Sequence, residues 1–320
     1  MGILDVNRLC TYYYLAGSRI VKAVDAVDLS VDKGEIVGLV GESGCGKSTL
    51  ARSILRLVPP PGKIVEGEIL FNRKNLIEMP ESEIRSLLGR EISMVFQDPS
   101  EYLNPVMTIG KQIGEVIDVH SPSTSSADKY VQVIETLRQF QIPSPEKVAN
   151  MFPHQLSGGM RQRVLLSIAF IGKPDLILMD EPTTSLDVTV KAQVVDLIKK
   201  QVADSSVSVL YVTHDLGVVA AVVDRVYVMY AGNIVESGDV FSIFRDPKHP
   251  YTLGLIKAAE EVYGKQPQLT GINGFVPNLY DLPNGCLFHP RCDKITPKCE
   301  KERPPICQFS GGYVRCWLFA

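Results

Sequence analysis

The chain has 320 residues, of which 45% are hydrophobic, so it can bury a large core. Its formal net charge of -3 provides no electrostatic basis for binding nucleic acid. No apolar run approaches the roughly 18 residues that span a bilayer, and the first residues lack the basic region and apolar core of a signal peptide. We therefore expect a cytosolic protein that reaches a membrane only through a partner.

The first strong pattern combines a strand, a glycine-rich loop and a helix. The apolar run 35–40 predicts a buried strand, and residues 48–56 have helical periodicity. Between them, residues 41–49 fit the phosphate-loop pattern G-x-x-x-x-G-K-[ST]. In such a loop, backbone amides and a helix start surround phosphate groups, Lys47 supplies a positive charge, and the Ser48 hydroxyl can bind magnesium. A chance glycine-rich turn would not be expected to lie between such a strand and such a helix.

Strand-like and helix-like segments alternate along the rest of the chain, which predicts an α/β fold with a largely parallel sheet. Residues 69–71, 92–96, 176–179 and 207–213 are strand-like. Helical periodicity marks residues 129–140 and 190–202. Between Gln97 and Ser157, helical segments separated by turn-rich stretches predict an inserted helical subdomain.

Two acidic residues and a histidine follow these strands. Asp180 lies at the carboxyl end of a strand, where open α/β sheets bind ligands, and could hold magnesium. Glu181 could orient or deprotonate an attacking water molecule. A lone histidine is more often structural than catalytic, but the Thr-His-Asp setting of His214 after a strand favours a catalytic role.

A second helix start lies at Ser157-Gly158-Gly159, directly before the helical segment 160–170. Its amides and the serine hydroxyl could bind an anion. The alternative is a glycine pair that ends a helix.

Together, these motifs resemble the ATP-binding subunit of ABC transporters over nearly the whole chain. Gln97 in Phe-Gln-Asp-Pro resembles the family's Q-loop, residues 156–160 its signature, residues 185–187 its D-loop and His214 its switch histidine. The resemblance implies an ATPase with an α/β P-loop NTPase fold: a mixed, mainly parallel sheet, an N-terminal antiparallel β part, an inserted helical subdomain and a small Cys-rich C-terminal tail. The expected domains are a nucleotide-binding domain at 1–245, with the helical subdomain at about 98–165, and a C-terminal extension at 246–320.

The resemblance also implies a role for each motif residue. The predicted catalytic residues are Glu181, His214 and Lys47, and the predicted magnesium ligands are Ser48, Gln97 and Asp180. The residues expected to contact ATP are Tyr13, Gly41, Ser43, Gly44, Cys45, Gly46, Lys47, Ser48, Thr49 and Gln97. Tyr13 is chosen among Tyr12, Tyr13 and Tyr14 to stack on adenine. The residues expected to reach the ATP of a second subunit are Ser157, Gly158, Gly159 and Asp187.

Several strings narrow the resemblance to dipeptide and oligopeptide importers: Phe96-Gln-Asp-Pro99, Leu103-Asn-Pro105, Gly114-Glu115, His214-Asp-Leu-Gly-Val218, His249-Pro-Tyr-Thr252 and Gly285-Cys-Leu-Phe-His-Pro-Arg-Cys292. The implied partners are a second ABC ATPase subunit, identical or homologous, two transmembrane permease subunits and an extracellular solute-binding protein, which would place this chain at the cytoplasmic face of the cell membrane. Relatives of this branch also transport nickel or oligosaccharides. A soluble ABC ATPase is a further alternative, although such proteins usually carry two motor domains or long coiled coils. An unrelated NTPase on the same fold remains a third alternative, which the signature motif disfavours.

The cysteines form the second informative pattern. Cys286, Cys292, Cys299 and Cys316 lie in the last 35 residues together with Cys307. Because disulfides are disfavoured in the cytosol, clustered thiols suggest a metal site. Four thiolates can bind zinc or a [4Fe–4S] cluster, and the spacing does not choose between them. The tail resembles the cluster-binding tail of this importer branch, which favours iron–sulfur at the first four cysteines and leaves Cys307 as an extra thiol.

Overall fold

The computed structural model describes residues 2–184, 186–263 and 271–320. The chain divides into two compact units, Met1–Glu78 with Tyr211–Ala320, and Met79–Leu210. Among the residues that the structure describes, none of the helices combines the length and apolar character needed to cross a membrane.

The first unit contains an antiparallel sheet and a mixed group of strands. The antiparallel sheet has the order β2-β1-β4-β5, with the bounds β1 Leu4–Leu15, β2 Arg19–Val31, β4 Gly62–Phe71 and β5 Lys74–Asn75. In the mixed group, β3 pairs in parallel with β9, and β9 then pairs antiparallel with β10, β10 with β12, and β12 with β11. The bounds of these strands are β3 Ile36–Val40, β9 Arg225–Tyr230, β10 Asn233–Asp239, β11 Cys307–Phe309 and β12 Gly312–Val314. The helices of this unit are α1 Lys47–Ile54, α9 Leu216–Val222, α10 Val240–Arg245 and α11 Pro250–Tyr263.

The second unit consists mainly of helices beside two parallel strands. The strands β6 and β7 pair in parallel, and their bounds are Ile92–Val95 and Leu176–Asp180. The helices are α2 Glu81–Leu87, α3 Pro99–Tyr102, α4 Ile109–His120, α5 Ser126–Gln139, α6 Pro145–Val148, α7 Gly158–Ile171 and α8 Val188–Ser205. Strand β8, Ser208–Thr213, crosses the boundary between the units.

The elements follow from the periodicity of the sequence. Every residue of β3 and of β7 is buried, as expected for strands covered on both faces. Helix α5 buries Val133, Ile134 and Leu137, which lie on one helical face. The α/β fold is therefore confirmed, and the strands and helices expected from periodicity are present. Most ends shift by at most three residues, but the strand expected at 69–71 begins seven residues earlier, at Gly62.

Gly172 allows helix α7 to end against the backbone of a neighbouring turn. A Cβ atom at this position would lie 2.1 Å from the carbonyl oxygen of Gly89, which is backbone and cannot swing aside. At the other end of the same helix, a Cβ on Gly158 would meet no atom within 4 Å.

We predict that Gly172→Ala destabilises the protein by at least about 1–3 kcal/mol, the usual cost of overpacking. Urea unfolding followed by circular dichroism should show a lower midpoint. Gly158→Ala is the matched control and should leave the midpoint nearly unchanged. Equal midpoints for the two variants would contradict the close approach.

Candidate nucleotide-binding site

The phosphate loop connects β3 to α1 and is shaped by two glycines. Gly41 has φ +155°, and a Cβ there would lie 2.2 Å from the Met229 carbonyl oxygen; Gly46 has φ +113°, and a Cβ there would lie 2.0 Å from the Ala23 carbonyl oxygen. A side chain at either position would collide with backbone, so both must be glycine. The loop therefore lies directly against other backbone segments of the first unit.

The ammonium group of Lys47 lies within this loop. Its Nζ donates hydrogen bonds to the carbonyl oxygens of Gly41 at 2.8 Å and Glu42 at 3.0 Å, and the residue is 5% exposed. Cys45, a residue of the loop itself, is fully buried, and burial raises the pKa of its thiol. The loop thus holds one positive charge beside a helix start, which is the arrangement that binds phosphate.

The three consecutive tyrosines of β1 have different surroundings. The Tyr12 hydroxyl donates to Asp25 at 2.6 Å, and burial together with this carboxylate raises the tyrosine's pKa. The Tyr13 hydroxyl lies 3.5 Å from Oγ1 of Thr49 in α1, whereas Tyr14 is exposed. Of the three hydroxyl groups, that of Tyr13 therefore makes the contact with the predicted phosphate-binding segment.

In the second unit, two predicted site residues contact each other after the parallel strands β6 and β7. Gln97 Nε2 donates to Glu181 Oε2 at 3.3 Å, and Thr184 Oγ1 donates to the same oxygen at 2.9 Å. Asp180 is 2% exposed at the end of β7. Glu181 has φ +49°, a strained conformation for a residue with a side chain. The acid is thus held in a defined orientation by two donors.

Two helix starts lie side by side in the same unit. Ser157 caps α7 by accepting from Met160 N at 3.3 Å, and Asp187 caps α8 by accepting from Val190 N at 3.0 Å. A Cβ on Gly159 would lie 2.7 Å from Val190 Cγ1, so the helix starts are in contact. Ser157, Gly158 and Asp187 are all exposed. Of the predicted D-loop, Ser185 lies outside the described residues.

His214 directly follows β8 in the first unit and is exposed. The next residue, Asp215, caps α9 by accepting from Gly217 N at 2.9 Å and Val218 N at 3.3 Å. The histidine therefore lies between the end of a buried strand and a capped helix start, where its backbone position is fixed.

Comparison with known proteins identifies the family. The family model "ABC transporter" matches residues 24–184, and the model "Oligopeptide/dipeptide transporter, C-terminal region" matches residues 235–299. The dipeptide transport ATP-binding protein DppD of Escherichia coli strain K12 is 41% identical over 312 residues, covering 98% of this chain and 95% of the relative. The chain belongs to the ABC transporter ATP-binding family.

Two further comparisons agree with this assignment. The oligopeptide transport ATP-binding protein OppD of Bacillus subtilis strain 168 is 44% identical, covering 99% of this chain and 88% of the relative. Among solved structures, the dimeric bacterial ABC transporter cassette MJ0796 superposes with a TM-score of 0.67 and 27% identity, covering 74% of this chain and 98% of that one. The ABC fold and the ATPase activity of this chain are therefore established.

The C-terminal cysteines of this ABC ATPase influence one another. Burial raises the pKa of Cys286, and the nearby thiols of Cys299 and Cys292 raise it further by electrostatic repulsion. Burial likewise raises the pKa of Cys316 to about 11, and repulsion from the other three cysteines of the predicted set adds to this shift. Within the described ranges, no group of three or more His, Cys, Asp or Glu side chains could hold a metal ion. The four thiols are thus neighbours that are not drawn together around a single ion.

The sequence did not assign a role to two residues that contact the phosphate loop. Tyr251 accepts a hydrogen bond from Glu42 N at 2.8 Å, and Arg291 donates to the Glu42 carboxylate at 2.7 Å and 3.0 Å. Both lie in strings that mark the importer branch, His249-Pro-Tyr-Thr252 and His289-Pro-Arg291. Those strings indicate that the two residues matter to this branch, but a sequence string does not show which residue each side chain contacts.

We predict that Glu181→Gln retains ATP binding and lowers turnover by about a hundredfold or more, because an amide has the shape of the carboxylate but cannot act as a general base. Turnover would be measured as phosphate release and binding as the affinity for a fluorescent ATP analogue. The control is Glu135→Gln, an exposed glutamate of α5 in the same unit. Turnover at the wild-type rate in the Glu181 variant would refute the assigned role.

Proposed function

We propose that this chain is the ATP-hydrolysing motor subunit of an importer of dipeptides or oligopeptides. The observation that carries the proposal is the order of the two family matches, an ABC ATPase region followed by the C-terminal region of oligopeptide and dipeptide transporters. Relatives named for dipeptide and oligopeptide transport align with nearly the whole chain, so the likeness is not limited to the shared ATPase part.

The roles of the site residues are part of this proposal. Tyr13 would stack on adenine. The phosphate loop would surround the phosphates through Gly41, Ser43, Gly44, Cys45, Gly46 and Thr49, and Lys47 would supply its positive charge to them. Ser48, Gln97 and Asp180 offer hard oxygen ligands of the kind that Mg²⁺ prefers. Bound magnesium would neutralise charge on the transferring phosphoryl group. Glu181 would act as the general base and His214 would contact the γ-phosphate.

The second helix-start surface would act on another subunit's nucleotide. Ser157, Gly158 and Asp187 are exposed on adjoining helix starts, and the apolar Val188 beside them is 80% exposed. An exposed apolar side chain next to exposed helix starts is typical of an interface. We infer a pair of motor subunits in which Ser157, Gly158, Gly159 and Asp187 of one face the ATP of the other.

Coupling to transport requires membrane partners. The proposed assembly contains this subunit, a second ABC ATPase, identical or homologous, two permease subunits and an extracellular solute-binding protein, with the motors at the cytoplasmic face of the membrane. In such a machine, ATP closes the two motors, the closure is transmitted to the permeases, and hydrolysis resets them.

The cargo can be tested in liposomes that contain the complete transporter. We predict that a dipeptide or an oligopeptide, presented with the binding protein, stimulates ATP hydrolysis and accumulates inside, because solute binding is coupled to motor closure. A complex carrying Glu181→Gln is the control and should show neither effect. Stimulation by an oligosaccharide or nickel but not by peptides would assign another cargo. Full activity without permeases and no association with them would instead favour a soluble ABC ATPase.

We propose that the tail's four cysteines bind an iron–sulfur cluster rather than zinc, as the resemblance of this tail to the cluster-binding tail of the importer branch implies. The thiols of Cys286, Cys292, Cys299 and Cys316 lie near enough to influence one another's pKa. A [4Fe–4S] cluster is larger and is bound by four thiolates. Such a group would link the ends of a segment that has little apolar core of its own.

The backbone also brings two of these cysteines together. Cys286 N donates to the Cys299 carbonyl oxygen at 2.8 Å. Gly285 has φ +66°, and a Cβ there would lie 2.3 Å from that same oxygen, so only glycine permits this approach. Two of the proposed ligands, 13 positions apart in the chain, are therefore held as neighbours by main-chain contacts.

We predict that anaerobically purified protein contains stoichiometric iron and absorbs broadly near about 400 nm, where thiolate–iron charge transfer occurs. Cys292→Ser should remove both signals. Cys307→Ser is the matched control, because Cys307 lies in the same tail but is not among the thiols that raise the pKa of Cys316. Iron-free wild-type protein containing stoichiometric zinc would contradict the cluster, as would equal iron loss in both variants.

A further inference from the structure

The second residue of the phosphate loop is held by the C-terminal extension. Arg291 Nη1 donates to Glu42 Oε2 at 2.7 Å, and Arg291 Nη2 donates to Oε1 at 3.0 Å. The arginine side chain is 3% exposed and the glutamate side chain 29%. This bidentate pair joins residues that are 249 positions apart in the chain. Two parallel, charge-assisted hydrogen bonds of this kind fix the orientation of the Glu42 carboxylate as well as its distance from Arg291.

The backbone of Glu42 is fixed by the same extension. Its N–H donates to the hydroxyl of the fully buried Tyr251 at 2.8 Å. The Tyr251 ring packs at 4.6 Å from the ring of Tyr230 and at 5.4 Å from that of Phe288. Both parts of Glu42 are therefore anchored: its main chain by Tyr251 and its side chain by Arg291.

Arg291 is itself held on several sides. Its Nε donates to the Asn273 carbonyl oxygen at 2.8 Å, and Nη2 also donates to that of Ile272 at 3.2 Å. Its guanidinium lies over the rings of Tyr230 at 5.8 Å and Phe288 at 5.9 Å. A planar cation with this many fixed contacts cannot follow a moving partner, so it defines where the Glu42 carboxylate lies.

Glu42 in turn contacts the charge that the phosphate loop provides. Its carbonyl oxygen accepts from Lys47 Nζ at 3.0 Å. An unpaired carboxylate at this position would repel the phosphates of ATP and attract the lysine away from them. The buried arginine counters both effects by neutralising the carboxylate and holding both of its oxygens. Lys47 Nζ donates to the main-chain oxygen of Glu42.

We propose that Arg291 is a positioning residue of the nucleotide site: it neutralises and anchors Glu42, so that the cysteine-rich extension sets the affinity of the phosphate loop for ATP. This inference rests on the proposed role of the loop in binding ATP. It gives the extension a function in the ATPase cycle that is separate from any group bound by the cysteines.

The test compares ATP dissociation constants of the full chain, measured by calorimetry with Mg²⁺ present. Arg291→Gln should weaken ATP binding about tenfold, since it leaves an uncompensated negative charge at the loop. Glu42→Gln should bind ATP at least as tightly as wild type. The decisive variant is the double change, because removing the carboxylate should restore most of the affinity lost with the arginine. In turnover assays, the loss should raise KM more than it lowers kcat.

The matched control is Arg225→Gln. Arg225 forms a comparable bidentate pair with Glu35, with both distances 2.8 Å, at the opposite end of β3 from the phosphate loop. Removing this pair should lower the unfolding temperature without changing ATP affinity. Equal loss of affinity in Arg225→Gln and Arg291→Gln would overturn the proposal, because general destabilisation would then explain both.

Two other results would also overturn it. Unchanged ATP affinity in Arg291→Gln would show that the pair has no effect on the site, and a double variant as weak as Arg291→Gln would show that the defect is a displaced tail rather than the Glu42 charge. A wild-type protein that binds no ATP would instead refute the proposed function itself, so the two failures are distinguishable.

Discussion

Close contact between backbone segments is the constraint on which the nucleotide site depends. The phosphate loop lies against the carbonyl oxygens of Ala23 and Met229, with no room for a side chain at Gly46 or Gly41. Gly232 N also donates to the Cys45 carbonyl oxygen at 2.8 Å. Both sheets of the first unit therefore shape the loop. Its amides are oriented before any ligand arrives, and little ordering cost remains for the binding step.

The contact with the extension adds a second constraint with an energetic consequence. A buried ion pair is stabilising only while both partners are present, because removal of one leaves an uncompensated charge out of water. Arg291 and Glu42 therefore require each other, and each lies in a segment with a different predicted task. The aromatic rings around Arg291 replace part of its hydration. A segment that looks like an appendage in the sequence is thus part of the phosphate loop's support.

The sequence predicted the local features well and the long-range contacts poorly. The strand, loop and helix from Ile36 to Ile54 depend on local periodicity and on glycines, which a sequence displays directly. The long strands β1 and β2 are harder to see, because register shifts and the positive φ angles of Arg8 and Ala26 interrupt their alternation. The pair of Arg291 with Glu42 has no periodic signal, because it depends on how distant segments pack.

The acidic site of the second unit combines a strained backbone with a hydrogen bond from an exposed residue. Glu181 keeps a left-handed backbone conformation that costs of order 1–3 kcal/mol for such residues, which persists only where surrounding structure enforces it. One hydrogen bond to its carboxylate comes from Gln97, an exposed residue that follows β6. Loops such as this one move more easily than the strands that precede them. Displacement of Gln97 would therefore remove one hydrogen bond from the Glu181 carboxylate while the bond from Thr184 remains, which links the position of an exposed residue to the surroundings of the proposed general base.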